Sequence, residues 1–179
     1  MAKVCYDSIQ MTRPKSTEAD SYYFNYIDLI TSEEIVPAME SQMAETLQFL
    51  LGISEEQSRQ SYAPGKWTIR EVLNHVNDGE RVFLFRAFWF ARGFADALPS
   101  FDQDRAVGSA HANNTSWAEL VEEFRNVRLA TISFFKSLPE EGWSRTGVAS
   151  DYPFTVRSLA YIIAGHVAHH RNVLAERYL

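Results

Sequence analysis

Apolar residues recur every three or four positions through four long stretches of this 179-residue chain, with no sustained apolar–polar alternation between them. That periodicity predicts amphipathic helices and leaves no strands from which to build a large sheet. Three of the stretches open on a capping box, a hydroxyl followed three residues later by a carboxylate that can reach back to the first backbone N–H. Thr31-Ser32-Glu33-Glu34 predicts a helix over about 32–51, with Ile35, Met39, Met43, Leu47, Leu50 and Leu51 on its apolar side and Gly52 at its end. Pro37 is tolerable there only because it lies near the start. Thr68-Ile69-Arg70-Glu71 opens a second helix that runs to about Arg92, along a stripe of Val72, Val76, Gly79, Phe83, Ala87 and Phe90. Ser116-Trp117-Ala118-Glu119 opens a third, carrying Leu120, Phe124, Val127, Ile132 and Phe135 and stopping at Leu138-Pro139. Thr155 caps the fourth, which runs nearly to Leu179.

Four such helices predict an all-α fold, an antiparallel four-helix bundle. Residues 93–114 and 139–154 are long connections, so a crossover is as compatible with the pattern as a simple up-and-down order. A connection as long as 93–114 in a compact domain usually carries function or covers something. One domain is expected over 1–179, with residues 1–20 as an N-terminal arm. The aromatic run Ser21–Ile30 reads equally as a short helix or as an extended piece packed on the body. A formal charge of -6 argues against a nucleic-acid binder, which shows a basic face. The lone Cys5 leaves no internal disulfide framework and fits a reducing compartment. No stretch approaches about 20 consecutive apolar residues, and the start lacks a signal-like apolar run. A soluble, cytoplasmic protein with no membrane partner is expected.

The last stretch, Tyr161 to Leu174, holds three of the five histidines. With Leu159 at zero on a helical wheel, His166 falls at about −20°, His170 at about 20°, and Ile163 and Leu174 at about 40° and 60°. His166 and His170 therefore interrupt the apolar stripe and point into the bundle. An unpaired polar group there costs a few kcal/mol, so something must satisfy them. A hydrogen-bonded core pair would do so, and so would a metal ion, since two imidazoles four residues apart on a helix can reach one ion. His75, about 70° from the centre of the second stripe, is a buried or half-buried candidate on another helix. Three imidazoles would leave a fourth position open for water or substrate. Val167 stands where a zinc protease would carry its general base, which counts against a peptidase.

The segment Tyr62-Ala63-Pro64-Gly65-Lys66-Trp67-Thr68-Ile69-Arg70-Glu71-Val72-Leu73-Asn74-His75 resembles the start of the second helix in the DinB-like superfamily. So do Asp78-Gly79-Glu80-Arg81, Ala91-Arg92-Gly93, Phe101-Asp102-Gln103-Asp104 and Gly165-His166-Val167-Ala168-His169-His170, in that order, over a span from about residue 20 to the end. The resemblance implies a four-helix bundle holding a divalent metal, usually zinc or nickel, on His75, His166 and His170, and often a homodimer. Relatives of this kind include transferases and isomerases that use low-molecular-weight thiols, and proteins described only as metal-dependent hydrolases.

The expected function is thus a metal-dependent enzyme that activates water or a thiol for hydrolysis or S-transfer. The alternative is a non-catalytic, stress-related metal-binding or interaction module. Asp78, one turn from His75, could orient an imidazole or be a solvated surface carboxylate. Asp104 and Asp102 could line the site from the connection, and His169 could contact substrate or be a surface or interface residue. Trp67 suits a hydrophobic staple before the Thr68 cap. Arg171 is expected to pair with an acid on a neighbouring helix, and His111 to be unrelated to the metal. A surplus of exposed aromatics such as Phe88 with Trp89 would mark a dimer face.

Overall fold

The computed structural model describes residues 12–179, so Cys5 and the first part of the expected arm lie outside the described residues. A single 3-10 turn leads into α1 (Phe24–Ile27), followed by α2 (Ile35–Leu51), α3 (Ile69–Ala91), α4 (Gln103–Ala110), α5 (Trp117–Lys136), α6 (Glu140–Trp143), the strands β1 (Thr146–Ala149) and β2 (Tyr152–Thr155), and α7 (Val156–Arg177). The four long helices α2, α3, α5 and α7 form the bundle. No helix among the described residues is long and apolar enough to cross a membrane.

Side-chain pairings give the helix directions. Asn77 meets Leu120, Glu80 meets Arg128 and Phe88 meets Phe134, so α3 and α5 run parallel. Tyr178 bonds the Trp67 carbonyl at one end while Arg145 bonds the Ala91 carbonyl at the other, which makes α7 antiparallel to α3. Gln42 with Arg128 and Glu40 with Lys136 set α2 antiparallel to α5. Two antiparallel pairs therefore lie side by side in parallel register, and residues 92–116 must travel back along the bundle between α3 and α5. Of the two orders that the long connections allowed, the crossover is the one present. It contains α4, which the sequence pattern left inside a loop; Asp102 caps it by accepting from the Arg105 N–H at 3.0 Å.

Two of the three capping boxes form as expected, at Thr68 with Glu71 and at Ser116 with Glu119. Thr155 forms a third with Ser158. The box expected at Thr31 does not form. The helix begins at Ile35, Glu34 is its cap residue, and no side chain bonds the first turn. The Tyr161 hydroxyl donates to the Ser32 and Glu33 carbonyls at 3.0 and 2.9 Å, which pins this segment ahead of the helix. The connection after α5 also differs from an all-helical chain: β1 and β2 form an antiparallel hairpin turning at Ser150 and Asp151, both with positive φ.

The core has two parts. One gathers the first half of α7, the hairpin, α1 and the start of α2; the other gathers Leu50, Ile69, Trp117, Phe124 and Leu174 at the opposite end. Helix α7 is the axis of both, buried on all sides from Val156 to Val167 apart from the half-buried Arg157. The end of the N-terminal segment is clamped to it. Glu18, 8 % exposed, accepts from Thr155 Oγ1 and Arg157 Nε at 2.8 and 3.0 Å. Burial alone would raise its pKa, but these bonds outweigh it and hold the carboxyl below the usual range.

Candidate metal centre

The stripe of α3 and the buried face of α7 meet midway along the bundle, at the seam between the two halves of the core. Gly79 makes the meeting possible: a Cβ there would stand 2.9 Å from Cε1 of His166. Gly165 does the same on the other side, where a Cβ would lie 2.1 Å from the Tyr26 carbonyl oxygen. The imidazole of His166 is thus seated on the bare backbone of α3, and α1 is seated on the bare backbone of α7.

In that gap three imidazoles converge. His166 Nε2 lies 3.1 Å from Nε2 of His75 and 3.1 Å from Nε2 of His170, and one ligand atom from each residue falls within 4.8 Å of the others. His75 and His166 are each 5 % exposed and His170 is half-buried. A neutral imidazole nitrogen carries either one hydrogen or one lone pair. His166 Nε2 can therefore complete one good hydrogen bond but not two, and the Nδ1 atoms of His75 and His170 are buried with no partner among the described residues. A hydrogen-bonded core cluster would leave this trio under-satisfied. Three lone pairs aimed at one cation would resolve the conflict at the Nε2 atoms, leaving the two Nδ1–H groups as they are, and nitrogens sharing an ion at about 2.0–2.1 Å with tetrahedral angles stand roughly 3.3 Å apart.

The environment keeps these imidazoles neutral. Burial lowers His75 to about 4, against a raising influence from the nearby Asp104 charge and a lowering one from His169. Burial, with His75 and His169 adding to it, lowers His170 to about 3. His166 is pushed well below its ordinary range by burial first and by its two partners second. All three are thus ready to donate lone pairs at neutral pH. The same shifts predict acid sensitivity. Each histidine is neutral in the fold but takes a proton on unfolding below its ordinary 6.5, so stability is fully present above 6.5 and drains away as pH falls toward 4 and 3. Each contributes a slope of up to about 1.4 kcal/mol per pH unit in that window. Urea unfolding of the metal-stripped protein should show a clear loss between pH 6.5 and 4.5; a flat profile there would contradict the buried, neutral trio.

A cavity of about 270 Å³ opens beside His75 and His166. Its walls are Tyr22, Tyr23 and Tyr26 from the N-terminal segment, Phe83 and Arg86 from α3, and Phe101 with Gln103 from the crossover. The long connection does cover something: Phe101 and Gln103 form one wall of this cavity. Tyr26 stands edge-on to His166 and to His169, with ring centroids 5.4 Å away in each case, and burial raises its pKa above the usual tyrosine value. Trp67 packs a tilted ring on His75 at 5.1 Å.

The other expected residues fall at different distances from the trio. Asp78 bonds Asn74 Nδ2 at 2.9 Å and Arg81 at 3.2 Å, both on its own helix, and does not reach the orphaned Nδ1 of His75. Asp104 is exposed in the first turn of α4, close enough for its charge to act on His75. His169 is half-buried, between His170 and Tyr26. Asp102 is occupied as the cap of α4, and Arg171 pairs with Glu45 of α2 at 3.1 Å. His111 is exposed in a left-handed turn outside the cluster. Phe88 is 40 % exposed, while Trp89 stacks on Phe94 at 4.2 Å. Tyr26 and Arg86 escaped the sequence reading. Arg86 had a signal, since it lies eleven residues after His75 and so about 20° from it around the helix.

Residues 38–174 match the DinB superfamily. No curated protein matches the chain in sequence. YfiT from Bacillus subtilis, a probable metal-dependent hydrolase with an unusual four-helix bundle topology, superposes with a TM-score of 0.69 at 14 % identity, over 94 % of this chain and 92 % of its own. A mycothiol-dependent maleylpyruvate isomerase superposes with a TM-score of 0.67 at 12 % identity, over 82 % of this chain and 61 % of its own. The chain therefore spans less than two thirds of that isomerase. At these identities the two structures establish a shared fold.

Proposed function

The chain belongs to the DinB superfamily, and on that footing we propose that it is a metal-dependent enzyme that activates water or a low-molecular-weight thiol for hydrolysis or S-transfer. The observation that carries this reading is the convergence of three Nε2 atoms, two of them on buried histidines that line a cavity. His75, His166 and His170 would hold a divalent ion, zinc or nickel, and their neutrality and the crowding of three ring nitrogens around His166 Nε2 fit that task. Three protein ligands favour catalysis, because a structural zinc site normally takes four. A bound ion supplies a positive centre beside which water or a thiol ionises near neutral pH.

The protein's own residues supply the rest. Gly79 and Trp67 fix the imidazole rings in place. Tyr26, Phe83 and Phe101 give the cavity apolar walls, which lower the local dielectric and strengthen electrostatic interactions beside them. Asp104 and His169 stand at the margin, where they would meet a substrate, while Asp78 holds Asn74 and Arg81. The described relatives, one a probable metal-dependent hydrolase and one thiol-dependent, support the two chemistries named. The exposed Phe85 and Phe88 support the expected homodimer.

The test is turnover by zinc- and nickel-loaded protein with mycothiol or bacillithiol plus an electrophilic acceptor, run beside a panel of esters and amides. Metal-dependent turnover that disappears in His170→Ala is expected. Absence of turnover with any thiol would remove the transferase reading, and metal bound without any turnover would favour the non-catalytic module.

A further inference from the structure

Three arginines are almost fully buried among the described residues, and two of them have carboxylate partners. Arg70 pairs with Glu55 and Arg128 with Glu80. Arg86, 4 % exposed, pairs with no carboxylate among the described residues. Its acceptors are neutral: Nη2 donates to the Pro99 carbonyl at 3.2 Å and to Ser150 Oγ at 2.9 Å. The face of Phe83 lies 5.7 Å from the guanidinium carbon, and the Tyr23 hydroxyl stands beside it. Burial pulls its pKa below the usual arginine value, as expected for a cation taken out of water without a counter-charge.

Such a charge is expensive to bury unless something compensates it. The lining of the cavity shows where compensation would come from, because Arg86 and the histidines His75 and His166 border the same space. Eleven residues along α3 separate the Arg86 and His75 backbones by about 16 Å, and the Phe83 ring spans the space between the two ends, 5.9 Å from the His166 ring and 5.7 Å from the Arg86 guanidinium carbon. A planar guanidinium matches the two oxygens of a carboxylate, and the aromatic walls between the two ends suit an apolar body. We propose that Arg86 is an anion-binding residue that holds the carboxylate of a small substrate while the substrate's electrophilic carbon faces the three histidines. The orientation rests on the metal-dependent reading above; the carboxylate subsite does not. Ser150 and Tyr23 act as positioning residues that keep the guanidinium aimed into the cavity.

The probes are benzoate and its neutral counterpart benzamide, titrated calorimetrically into the zinc-loaded full-length protein and into the same protein after chelation. Benzoate should bind at least tenfold more tightly than benzamide in both forms, since Arg86 and not the ion supplies the preference. Arg86→Gln should reduce the difference to less than twofold, and Arg86→Lys should restore part of it. In the wild type, the Arg86 Nε–H resonance should shift with benzoate and stay put with benzamide, a readout that stands even where Arg86→Gln does not fold. Equal binding of the two probes by wild type, or a preference that survives Arg86→Gln, overturns the proposal and leaves Arg86 as a tether between the crossover and the hairpin. A carboxylate preference confined to the zinc-loaded protein overturns it too, by assigning the preference to the ion. Failure to take up zinc, with the preference intact in the chelated protein, would instead count against the metal-dependent reading and leave the subsite standing.

Discussion

His166→Ala is expected to lower affinity for a divalent ion by more than a hundredfold, beyond the roughly 10–100-fold that outer-shell substitutions typically produce. His166 is the middle of the trio, with its Nε2 at 3.1 Å from both other ring nitrogens. Its loss leaves His75 on α3 and His170 on α7 with an empty space between them. Alanine is the best helix former, so circular dichroism should report an intact helical bundle. The cavity left behind should make the variant somewhat less stable. A variant that folds, keeps its helices and still binds the ion as tightly as wild type would show that the three rings are a packing arrangement.

Glu80→Ala is the substitution expected to cost most in stability, about 3–5 kcal/mol, because it leaves a buried arginine unpaired. Arg128, fully buried, donates from Nε and Nη2 to the Glu80 carboxylate at 2.9 Å each. Its Nη1 donates to Gln42 Oε1 at 2.9 Å, and Gln42 Nε2 donates to the Ala164 carbonyl at 2.8 Å. One chain of bonds therefore ties α3, α5, α2 and α7 together, next to Gly79 and two residues before His166. Urea unfolding should show the loss directly. Replacing both charges, as in Glu80→Leu with Arg128→Met, should recover much of it, since an apolar pair of similar volume avoids the desolvation of two ions. A loss below about 1 kcal/mol for the single change would place this pair with ordinary surface salt bridges.

The long helices were legible in the chain because each buries a stripe repeated over four or more turns, and a pattern that long survives local exceptions such as Leu51, which is 75 % exposed. The elements that escaped are those too short to carry a period. Helix α4 buries only Val107, and each strand of the hairpin has four residues. The hairpin turn uses Ser150 and Asp151 at positive φ without a glycine to announce it, and its place is set by distant packing, with Phe90 lying over Gly147. The Thr31 box failed for a similar reason: a hydroxyl from α7, Tyr161, holds the backbone just ahead of the helix.

The candidate site divides the same way. His166 and His170 are fixed relative to each other by helix geometry alone, and His75 lies on a predictable face of its own helix, so all three could be read from spacing. Asp78 also sits one turn from His75, but Asn74 and Arg81, each likewise one turn away, take its carboxylate. Tyr26 reaches the site only because Gly165 lets α1 press against α7, a contact across about 140 residues of sequence that no local pattern encodes. Arg86 shared the face of His75 all along. What made it conspicuous was the absence of an acid beside it among the described residues, which becomes visible only once its neighbours from the crossover and the hairpin are in place.

The central claim, that the three imidazoles form one ion-binding centre, is tested most directly by calorimetric titration of zinc into metal-free wild type and His166→Ala side by side. One ion per chain in the wild type, with release of few protons at pH 7.5 because the rings are already neutral, and no stoichiometric binding in the variant, is the result predicted here. Equal stoichiometry and affinity in the two proteins, or no binding in either, would contradict it.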